Sequence, residues 1–149
     1  MTSRGSLPEI GEMVADGRLR LQRPDRSVLL ESLAAARNDL VAANSNAAAF
    51  PAWAETMLYE AGLRCARTIV QAAGYRIAAE RGHVTAIDAA DTLTASNHRL
   101  FVRLHRMRRQ RHEFMYESAP EPSLADLDQG RKDVEALIRL VEQSMADVT

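Results

Sequence analysis

Between its breakers, this 149-residue chain repeats apolar residues every three or four positions, and no run alternates apolar and polar residues long enough to make a strand. That periodicity commits it to helices. Leu29, Leu33, Ala36 and Leu40 mark one from Ser27 to about Asn44. A longer stretch starts at Pro51, a residue suited to a first helical turn, and runs to Gly82, a natural stop. Met57, Ala61, Cys65, Ile69 and Ala72 form its expected buried stripe, and Gly62 and Gly74 within it either allow close packing or loosen the helix. His83 to Leu93 predicts a shorter helix, and about Ala95 to Tyr116 a long one, stopped by Ser118, Pro120 and Pro122. The last helix begins at Ser123, where Asp126 completes a capping-box pattern, and Leu127, Val134, Leu137, Ile138 and Val141 supply its apolar face. A short helix near Pro8–Asp16 ends at Gly17, and Arg18–Arg26, with Pro24, reads as a connector. The expectation is an all-α bundle of four principal helices with an additional short N-terminal helix. Residues 1–26 would form the N-terminal helix and connector, and residues 27–149 the helical domain. The helix ending at Tyr116 is expected at the centre, between the Met57–Ala72 and Leu127–Val141 stripes.

At 46% hydrophobic and 26% charged residues, the chain has the composition and length to bury one core without staples. No apolar run approaches the roughly 18–20 residues that cross a bilayer. The opening MTSRGSLPEIGEM holds no hydrophobic signal core, so a cytoplasmic protein without membrane contact is expected. Cys65 is the single cysteine, which excludes an intrachain disulfide and a CxxC site. In its apolar surroundings it reads as a small buried hydrophobe.

Net charge is −1, yet the charge is unevenly spread. Six arginines fall between Arg99 and Arg111 without one carboxylate, whereas acids dominate after Glu117. On a regular helix Leu100, Leu104, Met107 and Phe114 share a face, and Arg111 falls within that apolar stripe. A buried guanidinium needs an acid, a wet cleft or an anionic ligand. It can also snorkel, or pair with an acid of the last helix. A second face carries His105, Arg109, His112 and Tyr116, flanked by Phe101 and Arg108. Guanidinium forks match phosphate oxygens, and aromatic rings stack on unpaired bases, so this face suits RNA; otherwise it is a solvated basic surface. Arg106, Arg108, Arg109 and His105 are the candidate nucleic-acid contacts. No carboxylate cluster accompanies the histidines, so neither a metal nor any other cofactor is expected.

The stretch RRQRHEFMYES resembles the signature of the HEPN family, in which an Arg and a polar residue near the end of a helix are followed, after four to six residues, by a His. GLRCARTIVQAAGYRIAAERGHVTAIDAADTL is similar to that family's long helix, Gly-His turn and following helix, and the likeness extends over roughly Ser27 to Val148. Counted from Arg111 and His112, the family's His position is occupied by Tyr116. A second register, Arg106 to His112, keeps the spacing but places Met107 after the Arg. The Arg111 register is preferred.

The resemblance implies a homodimer whose paired clefts cleave RNA without metal. The ribose 2′-hydroxyl would attack the adjacent phosphate, with Arg111 holding it, His112 moving protons, and Tyr116 donating a hydrogen bond or stacking. A phenol with an ordinary pKa of about 10 is a poor base near neutrality, so any cleavage is expected to be weak. It also implies a toxin–antitoxin or phage-defence setting. The alternative is a non-catalytic dimeric module that docks a nucleotidyltransferase or another toxin.

Overall fold

The computed structural model describes residues 9–78, 82–116 and 121–149, with residues 112–116 described by their backbone alone. In chain order the elements are α1 (Ile10–Ala15), β1 (Leu19–Leu21), α2 (Arg26–Asn46), α3 (Pro51–Ala72), β2 (Tyr75–Ile77), α4 (Gly82–Leu93), α5 (His98–Tyr116) and α6 (Leu124–Met145). The fold is an all-α bundle, with α2, α3, α5 and α6 as the four long helices. Among the described residues, no helix is long and apolar enough to cross a membrane.

Local chemistry sets the helix ends. The Asp25 carboxylate accepts from the backbone N–H groups of Ser27 and Val28 and so starts α2. Pro51 sits in the first turn of α3. Ser123 and Asp126 form the expected reciprocal capping box at α6, with bonds of 3.0 and 3.1 Å.

Two expectations are corrected. The long helix beginning at Pro51 stops at Ala72 rather than Gly82, because Gly74 takes a left-handed conformation at φ +96°. Beyond that turn, β2 pairs antiparallel with β1, Leu19 opposite Ile77 and Leu21 opposite Tyr75. The predicted connector is therefore partly a strand, and its Leu19 is buried with Met13 of α1. Strands of three residues are too short to display an alternation.

The second correction concerns the centre. It is α3, not α5, that packs against α2, α4, α5 and α6. Alanines and Gly62 allow close approach on several sides: Ala54, Ala61 and Ala66 are wholly buried, beside Tyr59, Leu63, Cys65, Ile69 and Val70. A Cβ at Gly62 would lie 2.6 Å from Leu104 Cδ1 of α5, so the two helices meet where a side chain is missing. On α5, Leu100, Phe101, Leu104 and Met107 are buried, and the arginines lie toward its edges. Val134, Leu137, Ile138 and Val141 of α6 close the other side of the core as expected. Each fully buried large apolar side chain contributes on the order of 1.5–3 kcal/mol.

Candidate functional site

The closeness of α3 and α5 brings polar groups together at one end of their crossing. Tyr59, on α3, is fully buried, and a buried phenol requires a hydrogen-bond partner. It finds His83 of α4, with Oη 3.0 Å from Nδ1 and the rings 6.1 Å apart. The Arg111 guanidinium lies 5.7 Å from the phenol centroid, within cation–π range. Its Nε is 3.4 Å from Glu60 Oε1, a contact too poorly aligned to count as a hydrogen bond, and that nitrogen is buried. The acid beside Arg111 thus comes from α3, not from the last helix. Arg108 also has a buried Nε without a hydrogen-bond partner among the described residues. Arg67 of α3 also reaches this end, its guanidinium 4.0 Å from where a Cβ on Gly82 would stand.

Three guanidiniums, those of Arg108, Arg111 and Arg67, thus act electrostatically on one phenol–imidazole pair, and Glu60 is a carboxylate that acts on both rings. Burial, assisted by Glu60, pushes the Tyr59 phenol up to about 12 against the pull of Arg108, Arg111 and Arg67. His83 moves below its ordinary 6.5, first through burial and then through Arg67. The phenol is thus protonated and the imidazole neutral near pH 7, which leaves the cluster cationic. Such a cluster suits a phosphate. Alongside it, a cavity of about 230 Å³ between α2 and α3 is lined by Ser32, Glu60, Arg64, Arg67, Thr68 and Gln71.

Of the sequence-predicted residues, some fall in this cluster and the others are dispersed. Arg111 and Arg108 join the cluster. His105 instead bonds Asp88 of α4, Nε2 to Oδ1 at 2.8 Å, and His98 bonds the buried Asp91, Nδ1 to Oδ2 at 2.6 Å. Arg106 faces a small groove between α5 and α6 that also holds Glu55 and Asp126. Arg109 is exposed. The side chains of His112 and Tyr116 lie outside the described residues. Arg103 is structural, locked in a forked pair on the buried Asp133 of α6.

Sequence reasoning misses Tyr59, Glu60, Arg67 and His83 as site residues, although a signal exists for two of them. Tyr59 is a hydroxyl-bearing ring in an alanine-rich helix, and His83 follows the Gly82 turn. Among the described residues, no group of three or more His, Cys, Asp or Glu is placed to hold a metal ion. No family model, curated protein or solved structure matches the chain.

Proposed function

We propose that this chain is a HEPN-like RNA-binding domain of a toxin–antitoxin or phage-defence system, which grips RNA phosphates with α5 arginines and has the groups for slow, metal-independent cleavage. The observation that carries this reading is the cluster of Arg108, Arg111 and Arg67 around the Tyr59–His83 pair. Among the described residues the buried Nε atoms of Arg108 and Arg111 have no hydrogen-bond partner, and the exposed parts of these half-buried guanidiniums suit an incoming anion with strong hydrogen-bond acceptors. Arg106 and Arg109, on other sides of α5, would extend the phosphate track, whereas His105 is committed to Asp88. The HEPN-like reading rests on Arg111, His112 and Tyr116 in sequence, and it makes the working unit a homodimer.

The test is binding of a short fluorescein-labelled single-stranded RNA across a salt series. Wild type should weaken linearly in log affinity with log salt, and a variant with Arg108, Arg109 and Arg111 changed to Ala should bind more weakly. Its slope should be shallower by about 0.7 for each phosphate that is no longer neutralised. If that variant binds as tightly as wild type at low salt, the basic face is merely solvated and the reading fails.

A second reading has its own support. Phe50 and Trp53 stand three residues apart at the start of α3, and both remain about half exposed, at 57% and 50%. Aromatic side chains of that kind anchor protein interfaces. A docking module for a nucleotidyltransferase or other toxin would use them. Co-purification with such a partner, lost on Trp53→Ala, would favour it.

A further inference from the structure

His83 is the feature that the sequence motif does not use. The motif offers Tyr116 where the family places an imidazole, yet the fold brings an imidazole to Arg111 from a different helix. One phenol touches both: its hydroxyl bonds His83 Nδ1 at 3.0 Å, and its face lies 5.7 Å from the Arg111 guanidinium. Arg67 reaches the same end, its guanidinium 4.0 Å from where a Cβ on Gly82, the chain neighbour of His83, would stand, so a phosphate held by Arg111 and Arg67 would share this phenol with His83. Building on the RNA-binding reading above, we infer that His83 is the general base of a metal-independent RNA cleavage site, held by Tyr59 and served by Arg111 and Arg108.

For this role Nδ1–H donates to Tyr59 Oη, and Nε2 keeps its lone pair for substrate. Nε2 takes the proton from a ribose 2′-hydroxyl. The 2′-oxygen forms a bond to the adjacent phosphorus while the bond from phosphorus to the 5′-oxygen breaks, and that oxygen takes a proton from water. The products are a 2′,3′-cyclic phosphate and a 5′-hydroxyl. Arg111 and Arg108 would stabilise the charge on the phosphorane, the species whose charge exceeds that of the ground state. When Nε2 is protonated, Tyr59 Oη still accepts from Nδ1, so the phenol is a positioning residue that supports both states. The substrate class is single-stranded RNA, whose 2′-hydroxyl is the nucleophile; DNA would bind through its phosphates without being cut.

The experiment uses the full chain, a short labelled single-stranded RNA and its 2′-deoxy counterpart, with EDTA present, and measures binding and cleavage separately. Wild type should cut RNA slowly to a cyclic phosphate and leave the deoxy strand intact. His83→Asn and His83→Ala should each lower cleavage by about 10²–10⁴ with RNA affinity unchanged. Added imidazole should restore part of the activity of His83→Ala, which a structural role would not allow. The wild-type rate should rise with pH through a midpoint below 6.5 and then level off, because the base is a depressed imidazole. This profile needs no variant to fold. Tyr59→Phe should lower kcat more than it raises KM. Cleavage undiminished in His83→Asn, or a midpoint above 6.5, would overturn the assignment. Intact RNA binding with no cleavage by wild type would overturn it too and leave the binding reading standing. Absence of RNA binding would bring down both.

Discussion

Replacing Arg103 with Met should cost stability without touching RNA affinity, although Arg103 lies on the same helix as the site arginines. Asp133 has a side chain only 7% exposed, and both of its oxygens lie 3.0 Å from Arg103 Nε. Gln129 adds a third donor at 2.9 Å. Removing one partner of a fully buried pair costs about 3–5 kcal/mol, because the other charge is stranded. Here the Arg103 side chain is 41% exposed, so water can reach the vacated side. Solvent screening lowers the expected loss to about 2 kcal/mol. In a domain of this size that corresponds to a fall in Tm of about 4–8 °C. Urea unfolding followed by far-UV circular dichroism measures it. Changing Asp133 to Leu in the same chain should recover most of the loss, since an apolar pair replaces a desolvated ionic one. The cycle of single and double variants should give a coupling of about 1–2 kcal/mol. A loss below about 0.5 kcal/mol for Arg103→Met, the range of ordinary surface changes, would refute the argument that this pair holds α5 to α6.

Other expectations follow from the same geometry. Burial raises the Tyr59 phenol from 10.0 and the Cys65 thiol from 9.0, each to about 12. Both favour the protonated form in the fold, so their contribution is complete below pH 9 and is lost as pH rises toward about 12. Unfolding free energy should fall steeply over that window, and less so in Tyr59→Phe. Iodoacetamide should label Cys65 only after denaturation. At the acid side, the depressed His83 contributes stability above pH 6.5 that is lost as pH falls through its folded-state pKa, so His83→Asn should flatten the acid limb of a stability–pH curve. Ser123→Ala should cost about 1 kcal/mol by removing the cap of α6, read from the urea midpoint at unchanged slope. Gly74→Ala forces a Cβ into φ +96° and should destabilise by at least about 1 kcal/mol in the same measurement.

Helix content was legible because each long helix has a stripe at the right period. The Ser123–Asp126 box and the Leu127–Val141 stripe of α6 were fixed by residues close together in the chain. What escaped reading was non-local. Nothing in Leu19–Leu21 announces pairing with Tyr75–Ile77, because the partner lies more than fifty residues away and each strand has three residues. The centrality of α3 follows from alanines and a glycine accepting neighbours on several sides, which a single stripe does not convey. The site divides in the same way. Arg111 stood out as a charge within an apolar stripe, and it does lie against a partly buried cluster. Its companions Tyr59, Glu60 and His83 come from α3 and α4, and only the crossing of helices unites them. His105 read as part of a basic face, whereas Asp88 on a neighbouring helix claims its imidazole.

RNA affinity compared between two charge-matched double variants bears most directly on the proposed site. One removes Arg108 and Arg111 from the cluster, and the other removes the exposed Arg23 and Arg139 elsewhere on the surface. Both lose two positive charges, so long-range attraction falls similarly. A phosphate site at the cluster predicts that the first variant loses at least about tenfold in affinity, equivalent to about 1.4 kcal/mol, while the second stays near wild type. Equal affinities for the two variants would contradict it, and would reduce the arginines of α5 to diffuse surface charge.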